Sequence, residues 1–254
     1  MQNYYKFLLQ KLPIFLFFMQ MTVIAQCSDL QRWHPTFGVQ SGIAALGKAG
    51  VDQDFPIDAT SDQFYIYNYD GTTKIPFLYG GFVGIEWRGD TDWRFQLQID
   101  YNQSSDFATG GTLTQGIDAA SQETYAFDYT MQFRQLLGLV KVEYARWNIV
   151  SPYFMFGLGS SFNSARDFAT TVPVTLATTR MYENQVSKSV SFALGAGFNI
   201  HVMDQVCFSF GYRFANVGTI GLGDSTVDGI AVTGTLSQKS LYANEFVVQL
   251  SALF

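Results

Sequence analysis

Beyond its first 25 residues the chain lacks any run approaching the ~20 consecutive apolar residues of a membrane helix, which excludes a helical membrane protein. It is also short of charge. Only 14% of its residues are Asp, Glu, Lys or Arg, and acids outnumber bases by 21 to 15. A deficit of positive charge argues against a nucleic-acid surface. Histidine occurs only at His34 and His201, and there is no His-x-Ser pattern, so the groups that let an oxygen attack a carbonyl are scarce. What the chain has is aromatic residues, 17% of its 254 positions, at a mean hydropathy of only +0.08. Apolar side chains are plentiful but spread out, as they would be if every second residue faced lipid. One domain is the natural expectation for this length.

The N-terminus reads as a signal peptide spanning residues 1–25. Lys6 and Lys11 supply its positive region, and Leu12 to Ala25 form an apolar stretch too short for a spanning helix. Cleavage after Ala25 leaves a mature domain, 26–254, with 13 bases against 21 acids, a formal charge of −8. Cys27 raises the question of a lipid anchor, but that processing wants a small residue before the Cys and finds Gln26. If this domain enters a membrane it must do so as a closed barrel, since only helices and barrels satisfy the backbone in lipid.

From Trp33 onward the dominant period is two, the period of strands. Trp93, Phe95, Leu97, Ile99 and Tyr101 lie on one face, with Arg94, Gln96, Gln98 and Asp100 on the other. Phe192, Leu194, Ala196, Phe198 and Ile200 repeat the pattern, as do Val206, Phe208, Phe210, Tyr212 and Phe214. Most of the residues alternating with them, Arg213 and Asn199 apart, are small, which suits a narrow lumen. Eight such segments can be drawn, at 35–47, 76–88, 92–104, 123–145, 152–164, 186–202, 205–217 and 240–254. The fourth shifts phase. Tyr125, Phe127, Tyr129, Met131 and Phe133 form one face that Val140, Val142 and Tyr144 continue, so a β-bulge near Gln135–Leu137 is expected to turn Lys141 and Glu143 inward.

The links at 89–91, 146–151 and 203–204 are short, while those at 48–75, 105–122, 165–185 and 218–239 are long and rich in Gly, Ser, Thr and Asp. Short turns inside and long loops outside are the outer-membrane pattern. The expected architecture is therefore all-β: an eight-stranded, antiparallel, up-and-down transmembrane barrel with short periplasmic turns and long extracellular loops.

These segments resemble the small eight-stranded outer-membrane barrels of Gram-negative bacteria: the membrane domain of outer-membrane protein A, outer-membrane protein X and the opacity-type surface antigens. The last strand, with Phe246, Val248, Leu250, Ala252 and the final aromatic Phe254, looks like the signal read by the barrel-assembly machinery. The resemblance implies a non-enzymatic surface protein without cofactor, set among outer-membrane lipid and lipopolysaccharide. Its loops would meet extracellular proteins or host ligands. No periplasmic domain follows the last strand, so tethering to peptidoglycan is not implied.

Inward positions are expected for Glu86, Arg88, Arg94, Gln96, Asp100, Arg134, Lys141, Glu143, Arg213, Glu245 and Gln249. Their mixed signs read as a paired network filling the barrel, because an unpaired buried charge is costly. The alternative is a narrow channel along the charges. A lipid A-modifying enzyme ranks lower, since His34 falls before the first strand and His201 near the periplasmic end of the sixth. In the first long loop Asp52, Asp54, Asp58, Asp62 and Asp70 do not match an EF-hand spacing and read as a solvated acidic loop rather than a calcium site. Asp70-Gly71 is a hairpin signal, so 64–69 is expected to pair with the extended second strand as a protruding ribbon with an exposed edge. Cys27 and Cys207 both fall on the oxidising, periplasmic side. They would bridge the N-terminal segment to the barrel or stay independent, and sequence leaves both open.

Overall fold

The structure, a computed structural model, describes residues 32–56, 62–147, 149–173, 179–203 and 205–254. The signal-peptide reading, Cys27 and Asp58 lie outside them. Eight long strands form the wall: β1 (Trp33–Lys48), β5 (Phe77–Arg88), β6 (Trp93–Ser104), β8 (Glu123–Tyr144), β9 (Val150–Thr170), β11 (Gln185–Met203), β12 (Val206–Gly221) and β15 (Ser237–Leu253). Each pairs antiparallel with the next, and β15 returns to β1, so the ring closes without a free edge. Closure satisfies every ladder bond within the wall, which is what allows strands to sit in lipid. The expected eight-stranded transmembrane barrel is the observed fold.

Alternation sets the two faces. Phe95, Leu97 and Ile99 of β6, Phe154, Phe156 and Leu158 of β9, and Phe246, Val248 and Leu250 of β15 point outward and are exposed. At the periplasmic rim Trp93 lies 4.9 Å from Tyr144, and Trp87 lies 5.7 Å from Phe95. Towards the other rim Tyr212 packs 5.5 Å from Phe246 and Phe214 packs 5.7 Å from Tyr242. Aromatic rings at both interfaces flank the apolar band, the arrangement of a barrel wall in lipid.

Seven shorter strands stand at the extracellular end: β2 (Gln53–Phe55), β3 (Phe64–Tyr69), β4 (Thr73–Lys74), β7 (Phe107–Gly116), β10 (Arg180–Tyr182), β13 (Ser225–Val227) and β14 (Ile230–Val232). They correct several sequence readings. Stretch 105–122 is not a plain loop, because β7 folds back on the first half of β8, from Phe107↔Met131 to Gln115↔Glu123. Segment 64–69 does not pair across Asp70-Gly71. It pairs with β7 on one side and β2 on the other, while Thr73 and Lys74 pair with β1. Among the described residues β3 is therefore paired with β7 along its length and with β2 at Tyr65–Tyr67, so it is not the free edge of a ribbon.

Above the membrane the wall thus passes from β5 and β6 to β7, β3 and β2, and this second storey closes against β15 through side chains. Gln53 Nε2 donates to the Ser237 carbonyl at 2.7 Å, and the Gly50 amide donates to Gln238 Oε1 at 2.8 Å. Separately, β10, β13 and β14 make a small sheet, turned at Asp228 and Gly229, both at positive φ (51° and 78°). Two successive positive φ values are the signature of a tight type I′ turn.

The bulge expected near Gln135–Leu137 is absent. Pairing of β6 with β8 runs unbroken from Gln103↔Arg134 to Trp93↔Tyr144. Phe127, Tyr129, Met131, Phe133, Leu137, Leu139, Lys141 and Glu143 all share the inner face. The aromatic run 125–133 does not face lipid because this half of β8 lies above the membrane, where the interior is the apolar side. An irregularity does occur, between Asp128 and Thr130 opposite β9. His34 lies within β1, opposite Glu86, rather than before it.

Candidate functional site

The interior changes character along the barrel axis. In the membrane half it carries the charged network, with Phe82, Leu137, Leu139 and Met155 buried beside it. Arg213 of β12 is 1% exposed and sits between two carboxylates: its Nη1 is 2.9 Å from Asp100 Oδ2 of β6, and its Nε pairs with Glu245 of β15. Gln40 of β1 also donates to Asp100 and accepts from Gln249 at 2.9 Å. Nearer the periplasm Glu143 holds His201 Nε2 at 2.7 Å and Arg94 Nη1 at 3.5 Å, and also accepts from Asn199. Lys141 donates to Asn199 Oδ1 at 2.8 Å and stands 4.0 Å over the Tyr153 ring. Glu86 binds Arg88 at 2.5 Å. Gly197 makes room here, since a Cβ on it would come within 2.7 Å of the Tyr153 hydroxyl.

Eight of the nine charged residues expected in the lumen have this inward position. Arg134 does not join them. It lies on the opposite parity of β8, beside Leu136, because the absent bulge leaves the phase of that strand unchanged. Cys207 is buried on the inner face of β12, next to Ser209. His201 meets Glu143 and Arg94, and among the described residues no serine hydroxyl is bonded to it.

The extracellular half is apolar and aromatic. Tyr67 of β3 is fully buried and packs edge-on against Phe127 at 5.1 Å and against Phe55 and Tyr182 at 5.9 Å. Tyr69 meets Phe127 at 5.2 Å and its hydroxyl bonds that of Tyr129 at 3.0 Å. Leu46, Leu113, Phe168, Ala193, Val217, Ile220 and Leu241 complete one continuous cluster drawn from every side of the mouth. Arg180 ties the small sheet onto it. Its guanidinium stacks 4.1 Å over Phe55 and bonds Ser225 Oγ at 2.8 Å, the Gly234 carbonyl at 3.0 Å and the Thr233 carbonyl. Burial pushes the Tyr67 and Tyr182 phenols well above their ordinary range, and that of Tyr69 up to about 12.

Alternation alone does not reveal this stopper, although Phe127 lies in the aromatic run 125–133 and Tyr65 and Tyr67 in the expected ribbon 64–69. At the outer surface Asp70 accepts from Thr72 and Lys74, and these bonds overcome partial desolvation to hold its carboxyl below the usual range. Among the described residues no group of His, Cys, Asp and Glu is placed to hold a metal ion.

Residues 32–254 match the family described as outer membrane protein beta-barrel domain. No curated protein sequence matches. Among solved structures the chain is similar to Neisserial surface protein A, at 13% identity and a TM-score of 0.44, covering 87% of this chain and 97% of that one. It is also similar to Ail, the attachment invasion locus protein of Yersinia pestis, in complex with the heparin analogue sucrose octasulfate. That match has 12% identity and a TM-score of 0.40, covering 87% and 99%. The outer membrane protein OprG of Pseudomonas aeruginosa matches at 14% identity and a TM-score of 0.38, covering 84% and 95%.

Proposed function

The chain belongs to the outer membrane protein beta-barrel family, and from that premise we propose that it is a closed, non-catalytic surface barrel of the Gram-negative outer membrane. It acts through what it presents outside the cell rather than through what it passes. The observation that carries this reading is the double closure of the lumen. Arg213 spans it to Asp100 and Glu245, and the Tyr67–Phe127 cluster fills the mouth above. Water and ions need a continuous wet path, and a dry aromatic layer over a paired charge network supports the absence of one.

In this reading residues 1–25 direct export and are removed. The alternating last strand, ending at Phe254, is then read by the assembly machinery before it seals the barrel. Phe254 stacks on Phe37 of β1 at 5.3 Å, at the seam where first and last strands meet. Among the described residues His201 meets Glu143 and Arg94 and no serine hydroxyl, which supports a non-enzymatic role over lipid A modification.

Planar-bilayer recording of the purified protein tests the proposal. No reproducible steps are expected. Steps that vanish on Arg94→Ala or Arg213→Ala would replace it with the narrow channel. A changed lipid A mass on overexpression would replace it with an enzyme.

A further inference from the structure

The far tip of the second storey carries a groove of about 310 Å³, open to the outside and lined by Gln63, Gln115, Gly116, Ser121, Glu123 and Tyr125, together with Ile117. That volume falls at the small end of ligand sites. Pairing brings the lining together: Gln115 faces Glu123 across the β7–β8 hairpin, and Phe64, next to Gln63, faces Gly116. Glycine at 116 suits the close approach there, since a Cβ would stand 2.9 Å from the Gln122 Cα and 3.2 Å from the Phe64 ring.

One atom in the groove is unexplained by the fold. Gln115 is only 7% exposed, yet its Oε1 is buried with no hydrogen-bond partner among the described residues. A buried acceptor without a donor is costly, and a small turn of the Gln115 amide toward the groove would let an incoming hydroxyl relieve it. The other polar groups are held in place. Tyr65 donates its hydroxyl to Gln63 Oε1 at 2.9 Å, and Tyr125 donates its own to Glu123. Ser121 Oγ accepts the amides of Ile117 and Asp118 at 3.2 and 3.1 Å, which fixes the turn.

Two amides, a carboxylate and a phenol ring, with no Lys or Arg in the lining, define the ligand chemistry. Carboxylate and amide carbonyl accept from hydroxyl groups, and the Tyr125 ring offers an apolar face to C–H bonds. The absence of a base disfavours sulfated, phosphorylated or carboxylated ligands. A lone carboxylate already shared with a tyrosine is a poor cation trap. We propose that this groove binds one neutral sugar residue of a glycan. The proposal rests on the surface-protein reading and gives that surface a partner.

The test uses the full-length folded protein in detergent and saturation-transfer NMR with the methyl glycosides of glucose, galactose and N-acetylglucosamine. Sucrose octasulfate serves as the anionic probe. Transfer to at least one neutral glycoside is expected, weakened on the order of tenfold by Gln115→Leu and by Glu123→Gln, as for a lost hydrogen bond to a ligand. The gel shift on boiling should persist in both. Should Gln115→Leu not fold, Glu123→Gln at the exposed start of β8 decides alone. No transfer from any of the three glycosides, equal affinity in the variants, or preference for the sulfated probe would each overturn the proposal. Channel steps in a bilayer would instead sink the surface reading and leave the groove measurement standing, so the two failures are distinguishable.

Discussion

Arg213 on β12 and Asp100 on β6 belong to strands four places apart around an eight-strand ring, so their 2.9 Å ion pair crosses the full width of the lumen. Both side chains are essentially removed from solvent, and Glu245 completes the triad from the neighbouring strand. Removing the cation strands two buried carboxylates side by side, a change that costs about 3–5 kcal/mol. Arg213→Met is therefore expected to lower the unfolding free energy of the lipid-embedded barrel, read from urea denaturation, by that much. The exposed pair Arg166–Asp106, at 2.5 Å, is the control. Arg166→Ala should cost at most about 1 kcal/mol. Equal effects of the two substitutions would contradict the assignment of the triad as a buried cross-brace.

The two closures act in series, which makes conductance a test of both. Replacing Tyr65, Tyr67 and Phe127 by Ser should leave the bilayer silent, because the triad still blocks the path. Arg213→Ala alone should also be silent beneath an intact stopper. The combined variant is expected to give small, reproducible steps. If either set of substitutions opens the barrel by itself, the layer it leaves in place is not a barrier.

Alkaline pH should loosen the outer storey before the wall. Burial holds the Tyr69 phenol at about 12, against an ordinary value of about 10, and raises those of Tyr67 and Tyr182 as well. A raised acid contributes its full stability below the unfolded value and loses it as pH climbs through the folded one. The loss therefore falls between about pH 10 and 12 for Tyr69. Tyrosinate absorbance should rise late and cooperatively over this window, together with protease cleavage of the outer storey. Early, hyperbolic titration of all the tyrosines near pH 10 would mean that the stopper is wet.

Arg180 is the tie between the small sheet and the cluster, and it meets aromatic faces and carbonyls rather than a carboxylate. Hydrogen bonds to charged groups contribute about 1.5–3 kcal/mol each. Arg180→Leu should detach β10, β13 and β14, so that protease on intact cells cuts within 222–236 while the boiling shift of the barrel is unchanged. Resistance equal to that of the unsubstituted protein would show that the sheet is held elsewhere.

All eight wall strands were legible in the sequence, because in lipid the outward half of each must be apolar while the inward half holds the charged and small residues. The β6 alternation from Trp93 to Tyr101 matches the observed strand almost residue for residue. The same logic misled above the membrane. There the inside is the dry side, so Tyr125 to Phe133 invert their meaning without any change of phase. That inversion, mistaken for a bulge, is also what misplaced Arg134. Strand β7 escaped notice because Phe107–Gly116 is rich in Gly and Thr, residues that read as loop. Gly111 has a structural reason to be small, since a Cβ there would meet the Tyr69 Cα at 2.8 Å. The partner of β3 could not be inferred from the adjacent Asp70-Gly71, because strand pairing at a separation of tens of residues leaves no local trace. The lumen charges were legible as a set, but which pair crosses the barrel depends on ring closure.

The second storey also sets a height. Half of β8, from Glu123 to Phe133, stands beyond its pairing with β6, a length of about 34 Å along a strand that advances ~3.4 Å per residue. Because this projection has a packed interior of its own, it behaves as a rigid mast rather than a whip. A partner touching its tip meets a shape already set, and association forfeits little of the chain entropy that a flexible loop would surrender on capture. How far from the membrane such a contact falls is then set by the rise of the strand itself, a distance the fold holds constant.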